Sequence, residues 1–407
     1  MKNILHKLNE LSAIIFFFIL TISCQPEEAP LQGLLYANPD VMLKIKNAYK
    51  NGSKLDAETV KRIVSCAEGK MDFKPVSVMD KGVTPPSGDK HDYISQGPYW
   101  WPDTTKEDGL PYIRRDGVVN PERNKFSDRQ NLRDLIDASQ LLSQAYYFTN
   151  NEKYAEKTIT LLKVWFIEEA TRMNPHLEYG QGIPGITEGR GIGIIETRTI
   201  GKLVDVVIVL RKSPLWKGEM QNGMTLWMRD YLDWLQNSEK GKKESIHPNN
   251  HGTWYDVQAM SLAIFTGQND VARSIAENAK EVRFDEHVKA DGSQPKELAR
   301  TKSFSYSAMN LQGLFYIALL AEKVDVDLWN YKNKQGATLQ DALDFLLPAA
   351  LGKQLWQHEQ ISKVHPSSLA FHTRLASTKY NASYGQAHAE LFVIEKSDDC
   401  STNYLFY

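Results

Sequence analysis

Cysteine is scarce in this chain of 407 residues: Cys24, Cys66 and Cys400 are too few and too far apart for a disulfide-stapled scaffold or a cysteine-based metal centre. The ten histidines are scattered and form no His-Glu-x-x-His pair, so no metal and no cofactor are expected. An excess of charge is missing too, since 48 Lys and Arg stand against 50 Asp and Glu. So balanced a chain exerts no general pull on a polyanion, which argues against nucleic acid as a partner. Any anionic ligand must be met by a local basic cleft. The glycines at 180, 182, 185, 189, 191 and 193 lack the preceding strand and the Gly-x-Gly-x-x-Gly order of a dinucleotide loop. They read either as a flexible connection or as a lid.

Long apolar runs are absent beyond the first two dozen residues. There, Lys2 and Lys7 precede an apolar stretch over 11–22, too short for the ~20 residues of a membrane span but suited to a signal segment. Thr21-Ile22-Ser23-Cys24 resembles a bacterial lipoprotein cleavage site, with ordinary cleavage near Ser23 as the alternative. The expected layout is a leader over 1–23, a polar tether over 24–35 and a single catalytic body over 36–407. That describes an exported lipoprotein of the bacterial outer membrane, periplasmic or surface-facing, touching the membrane only through a lipid on Cys24. Cys66 and Cys400 either pair or stay as two free buried thiols, and spacing does not decide between these.

What is present is helical periodicity and enough apolar residues, 42% of the chain, to bury a large core. Helices are expected over 40–50, 58–70, 128–149, 152–165, 194–211, 218–235, 251–265, 270–284, 305–321 and 339–347. Most fall into pairs with short breaks, a pattern that suggests an all-α fold of the (α/α) toroid kind. The spacing is too irregular for a short solenoid repeat. A long loop over 71–124, rich in Pro, Gly and aromatics, interrupts it, and loops of that length are usually functional. Its Tyr93, Tyr99, Trp100, Trp101 and Tyr112 either stack on sugar rings or pin the loop to the core. The tail over 377–407 is expected to contain extended segments.

Two short blocks carry the chemistry. Asn249-Asn250-His251-Gly252-Thr253-Trp254-Tyr255 follows Pro248 and opens an apolar periodic run, the mark of a capped helix start with Asn250 and His251 in its first turn. The positive end of such a helix favours an anion. Some fifty residues on, Arg300-Thr301-Lys302-Ser303-Phe304-Ser305-Tyr306 repeats the pattern, with Ser303 as the expected cap and a more acidic Tyr306 as the expected consequence. An Asn-Asn pair at a helix start is usually only a cap, and a neighbouring histidine is usually structural. Together, though, these blocks supply the amides, imidazole, guanidinium and phenol needed to ionise a carbon acid next to a carboxylate.

These blocks, with 96–103 (Gln-Gly-Pro-Tyr-Trp-Trp-Pro-Asp), 189–198 and 291–295, resemble the alginate lyase superfamily of helical toroid enzymes over residues of about 90 to 315. The resemblance implies an incomplete toroid of five to seven helical hairpins. It further implies Asn250 and Arg300 as neutralisers of a uronate carboxylate and His251 and Tyr306 as the proton-transfer pair. The expected substrate is an anionic polysaccharide, alginate or a related polyuronate such as glucuronan, cleaved by metal-independent β-elimination. Where the C5 hydrogen and the leaving oxygen share a face, as in mannuronate, Tyr306 serves as base and acid. Where they lie on opposite faces, as in guluronate, His251 is the base and Tyr306 the acid. Substrate contacts are expected from Tyr99, Trp100, Trp101, Arg129, Arg190, Asn249, Trp254, Tyr255 and Lys302, with Arg114, Arg115 and Arg198 as further cleft candidates. Two other classes stay open. A glycoside hydrolase would draw a carboxylate pair from Glu188, Glu196, Asp256 and Asp291. A non-catalytic glycan-binding lipoprotein would explain the aromatics and the tether but not the four reactive groups.

Overall fold

A computed structural model describes residues 28–395 and Cys400. The leader and the lipidation site at Cys24 lie outside the described residues. Fourteen α-helices follow one another among the described residues: α1 (Pro39–Lys50), α2 (Lys54–Met71), α3 (Asp128–Thr149), α4 (Glu152–Phe166), α5 (Lys202–Leu210), α6 (Gly218–Asn237), α7 (Glu239–Ser245), α8 (Asn250–Phe265), α9 (Asn269–Ala279), α10 (Pro295–Leu298), α11 (Ser303–Glu322), α12 (Leu339–Ala350), α13 (Ala370–Lys379) and α14 (Ser383–Glu395). Local signals set the breaks between them. Asn150 turns the chain through the left-handed region at φ 54° to end α3, and the Asn151 side chain then caps α4, a two-residue turn that makes the pair antiparallel.

Helices α3, α5, α8 and α11 pack side by side as an inner wall, and α2, α4, α6, α9 and α12 lie outside it. Helices α8 and α11 show no division into an apolar and a polar face and are buried along nearly their whole length, as an inner layer covered from both sides must be. This is the expected incomplete (α/α) toroid. The expected helix over 194–211 divides into a 3-10 segment, Gly191–Thr197, and α5. At the junction Gly201 faces the Tyr36 hydroxyl and Ser261, and a β-carbon there would come within 2.5 Å of that hydroxyl. Through Glu395 the tail departs from expectation: its described residues form the end of α13 and α14, and Leu375, Ala376, Tyr384 and Leu391 of these helices close over the core, while 396–399 and 401–407 lie outside the described residues.

The long loop is ordered by two small sheets. Strand β1 (Ile94–Gln96) pairs in parallel with β4 (Tyr179–Gly182), and β2 (Trp100–Trp101) pairs antiparallel with β3 (Ile113–Arg114). The glycine-rich segment is therefore not a slack connection. Its backbone is packed so closely that a β-carbon on Gly193 would lie 2.6 Å from the Gly180 carbonyl.

One end of the ring is filled by residues 34–37. The backbone N–H groups of Leu35, Tyr36 and Ala37 donate to the Asp205 carboxylate of α5 at 2.6, 3.1 and 2.9 Å. The Tyr36 hydroxyl bonds Ser261 of α8, and its ring packs edge-on against Tyr316 of α11. Of the expected tether over 24–35, residues 28–35 are packed onto the body: Glu28 is held by Lys46, Lys50 and Lys212, and Leu31, Leu34 and Leu35 are buried, because apolar side chains at this point gain more from the core than from water, while 24–27 lie outside the described residues.

Cys66 of α2 and Cys400 form a disulfide that joins residues 334 apart in sequence. Cross-linking so long a loop restricts the unfolded chain, and Cys66→Ser is expected to cost roughly 2–5 kcal/mol. Denaturant unfolding with and without reductant checks this: reductant should destabilise the wild type and leave the variant unchanged.

Candidate active site

The N-terminal ends of the inner helices share one cleft, of about 460 Å3, that receives Arg129 from α3, Arg198 from just before α5, His251 from α8 and Arg300 from just before α11. Arg114, Arg123 and Arg190 also line it, with Pro98, Tyr99, Trp100, Gln181, His247 and Asn249. Glu196 is the single carboxylate among the lining residues. The chain's charge is near balance, yet six arginines meet here, the local basic surface that a polyanion requires.

Arg129, Arg190 and Arg300 are held by neighbouring side chains. Glu196, buried, accepts from the hydroxyls of Tyr93 and Ser95 and lies 3.4 Å from Arg129 Nε. Arg190 donates twice to Gln181, to its carbonyl at 3.1 Å and its side-chain oxygen at 2.9 Å. Burial pulls Arg190 and Arg198 down to about 10, which leaves both charged at neutral pH. Arg300 gives Nε and Nη2 to Asp116 of the long loop at 3.1 and 2.8 Å, while its guanidinium lies 3.8 Å from the centre of the Tyr306 ring. Burial raises the Asp116 carboxyl, but the hydrogen bonds and charge of Arg300 outweigh it and hold the group well below the ordinary range.

His251 occupies the first turn of α8, as expected, with the Asn249 side chain capping its N–H at 3.0 Å. Its Nδ1 lies 2.7 Å from the buried carboxylate of Glu244. A carboxylate accepts, so Nδ1 carries the proton and Nε2 keeps its lone pair. The neighbouring His247 is lowered by its burial and by the second imidazole. Gly252 is dictated by this packing: a β-carbon would meet the His247 carbonyl at 2.2 Å and the Arg283 guanidinium at 2.7 Å. Arg283 holds the turn from beneath, pairing with Asp256 and donating to the carbonyls of Ser245 and His247.

Asn250 is placed differently from expectation. It is fully buried beneath the cleft, where its backbone N–H and side-chain amide donate to Glu297 of α10 at distances of 2.7 to 3.0 Å. The positive end of α8 does hold a carboxylate, but it is the protein's own. Burial raises Glu297, and the Asn250 donors pull it back.

Tyr306 lies in the opening turn of α11, and its hydroxyl bonds that of Tyr99 at 2.8 Å. The expected acidification is reversed: burial and the second phenol push Tyr306 well up, and Arg300 offsets only part of that. Nor does Ser303 cap this helix. Its hydroxyl donates to the Glu359 carbonyl at 2.6 Å, and the Gln360 side chain accepts from Phe304 N–H, so a crossing segment caps the helix. Of the remaining expected contacts, Tyr99, Trp100, Arg129, Arg190 and Asn249 line the cleft, and Trp101, Trp254, Tyr255 and Lys302 do not. Trp254 and Tyr255 are buried, their polar atoms bonded to Met309 and Leu235 carbonyls. Trp101 is turned to the Val118 carbonyl beneath Arg115, and Lys302 pairs with Gln360 at the α11 start.

Sequence reasoning missed Arg123, His247, Glu244, Glu297 and Asp116. Glu244 sits in the charged run Glu-Lys-Gly-Lys-Lys-Glu-Ser, which reads as a solvated helix, and Asp116 belongs to a loop with no periodicity. Glu297 alone left a trace, since it is a carboxylate that falls three residues before the second block begins. Asp256, Asp291 and Glu188 lie outside the cleft, so the carboxylate pair a hydrolase needs is not assembled among its lining residues. Glu297→Ala should strand the Asn250 donors at roughly 1–3 kcal/mol each. A fall in thermal midpoint together with a loss of kcat is the expected result, and thermal unfolding alongside a rate assay checks it.

Residues 77–356 match the alginate lyase family. A solved alginate lyase from Bacteroides ovatus is 35% identical over 92% of this chain and 99% of its own, with a TM-score of 0.85. Alginate lyase A1-III from Sphingomonas species A1 is 17% identical over 86% of this chain and 91% of its own, with a TM-score of 0.54. A variant of A1-III complexed with a tetrasaccharide reaches 0.56 at 17% identity. These last two share the fold. No curated protein matches the chain.

Proposed function

The chain belongs to the alginate lyase family and is a polysaccharide lyase, and on that premise we propose that it cleaves alginate by β-elimination. A base takes the C5 proton of a uronate, the C5–H electron pair forms the C4=C5 bond, and the C4–O pair leaves with the glycosidic oxygen, which takes up a proton. The observation that supports this reading is one basic cleft lined by His251, which is backed by Glu244, and by Arg300 and Tyr99, the two residues against which the Tyr306 phenol rests.

The charge that builds on the C6 carboxylate as C5 loses its proton must be met by donors already in position. We assign that task to the remaining N–H groups of Arg300, to Arg198 and Arg190, and to the Asn249 amide. Asn250 contributes through Glu297 instead of touching the sugar. The guanidinium groups supply the positive charge that a metal would otherwise bring, so the reaction is metal-independent and a chelator should leave the rate unchanged.

His251 Nε2 is the base, with Glu244 steadying the imidazolium as it forms. Tyr306 is the acid, and the Tyr99 hydroxyl beside it can restore its proton. With the phenol pushed up by burial, the resting site is set for elimination across opposite faces of the ring, the arrangement of guluronate. Mannuronate requires Tyr306 to lose its proton first. Lipidation of Cys24 remains part of the reading, supported by the sequence around it, and labelled palmitate incorporation that survives Cys24→Ser would refute it.

Purified protein offered alginate, polyguluronate, polymannuronate, glucuronan, pectate and hyaluronan should generate the ultraviolet absorbance of the conjugated product on alginate, faster on polyguluronate than on polymannuronate. Tyr306→Phe should lower kcat roughly a hundred- to ten-thousand-fold on both blocks, and His251→Ala should do so on polyguluronate first. Chain cleavage without the chromophore would mean hydrolysis, and an unimpaired Tyr306→Phe enzyme would remove the phenol from the mechanism.

A further inference from the structure

One arginine of the cleft has no partner at rest. Among the others that line it, Arg129 lies against Glu196, Arg190 is tied to Gln181, Arg114 and Arg300 share Asp116, and Arg198 reaches the Ile195 carbonyl at 3.4 Å. Arg123 lines the same cleft half-buried, and among the described residues its guanidinium has neither a hydrogen-bond acceptor nor a carboxylate in ion-pair contact. Glu122 beside it is committed elsewhere, to the Tyr112 hydroxyl at 2.6 Å and the Asn120 amide at 3.2 Å. Burial lowers Arg123 and the charge of Arg129 presses it further down, with Glu196 pulling the other way. A guanidinium that loses water without gaining an acceptor is held at a cost in free energy, and an arriving anion offsets it.

Its place relative to the reacting groups follows from the backbone. Arg123 stands in a 3-10 turn, Pro121–Lys125, whose cap Asn120 donates its backbone N–H to the Pro98 carbonyl at 2.7 Å and its side-chain amide to the Trp100 carbonyl at 2.8 Å. The turn is thus tied on both sides of Tyr99, whose hydroxyl bonds that of Tyr306. Arg123 belongs to the wall that carries this phenol pair, whereas His251 and Asn249 come from the start of α8. In the elimination the phenol gives its proton to the departing oxygen, which stays bonded to C1 of the sugar that leaves. That sugar is therefore the one placed next to the Tyr99 wall.

We propose that Arg123 binds the carboxylate of the uronate that departs with the glycosidic oxygen, an inference that rests on the polyuronate reading above. Arg123 then determines specificity: two consecutive uronates satisfy it, and a neutral departing sugar leaves it unpaired. Blocks of uronates are preferred over polymers in which uronates alternate with neutral sugars.

The test offers the wild type, Arg123→Met and Arg123→Lys two oligouronates of equal length that differ only in the departing unit, which keeps its carboxylate in one and has it reduced to a primary alcohol in the other. Initial rates of the ultraviolet-absorbing product give kcat/KM. The wild type should prefer the acidic substrate about tenfold, the effect of one charge-assisted contact. Arg123→Met should bring that ratio to about one by losing rate on the acidic substrate alone, and Arg123→Lys should regain most of it. If Arg123→Met does not fold, Arg123→Gln carries the comparison. A wild type indifferent to the change, or an Arg123→Met enzyme that slows equally on both substrates and so keeps the preference, would overturn the assignment while leaving the lyase reading intact. A wild type that acts on no polyuronate would bring down that reading, and the assignment with it.

Discussion

The Glu297 carboxylate, buried under the cleft and accepting three hydrogen bonds from the backbone and side-chain N–H groups of Asn250, joins the two segments that carry the proposed reactive groups. His251 follows Asn250 directly, and Arg300 and Tyr306 follow Glu297 by three and nine residues. Helices α8 and α11 already pack side by side as apolar inner elements, but apolar contact tolerates sliding and rotation. A carboxylate seated on the first N–H of α8 does not, because its acceptors must meet fixed donors at a helix end. The contact therefore sets the register of the imidazole against the guanidinium and phenol.

From that register follows an electrostatic division of the site. On one side, Glu244 polarises His251 toward accepting a proton at Nε2. On the other, burial and Tyr99 keep the proton on Tyr306, while Arg300, stacked on the ring and clamped by Asp116, eases its departure. Two groups whose surroundings push them in opposite directions are what acid–base chemistry at neutral pH needs. The clamp comes from the long loop, which explains why an irregular segment is held by two small sheets: Asp116 must arrive at Arg300 from outside the helical ring.

Much of the ring was legible in the sequence, because α3, α4 and α6 show 3.6-residue periodicity bounded by asparagine caps or by short polar breaks. The starts of α8 and α11 were legible too. What escaped detection was mostly partner choice. Ser303 looks like a cap, yet Gln360 and Glu359, more than fifty residues away, take over the helix start. Tyr306 looks acidified by a helix end, yet desolvation outweighs the dipole once the phenol is buried. Asn250 looks like a substrate ligand, and its donors are spent on Glu297. In each case the local pattern names the right residue, and long-range packing decides what that residue touches. The tail misled for another reason: α13 and α14 carry so little apolar periodicity of their own that their form comes from the surface they cover.

The segment just before α1 completes the same logic from the opposite end. Asp205 gathers three consecutive N–H groups from Leu35, Tyr36 and Ala37, and Tyr36 reaches α5, α8 and α11 together. An open ring of inner helices would present their apolar faces to water at that end; this segment fills it with Leu34, Leu35 and Tyr36 instead. Burial raises Asp205 to about 6, with the three N–H donors acting against the shift, so the plug is held by hydrogen bonds to a carboxylate near the edge of ionisation. Closing one end with apolar side chains leaves the N-terminal ends of the inner helices, with their dipoles and arginines, as the charged end of the ring. The asymmetry suits the proposed polyanionic substrate, and the fold reaches it by placing Leu34, Leu35 and Tyr36 at the other end.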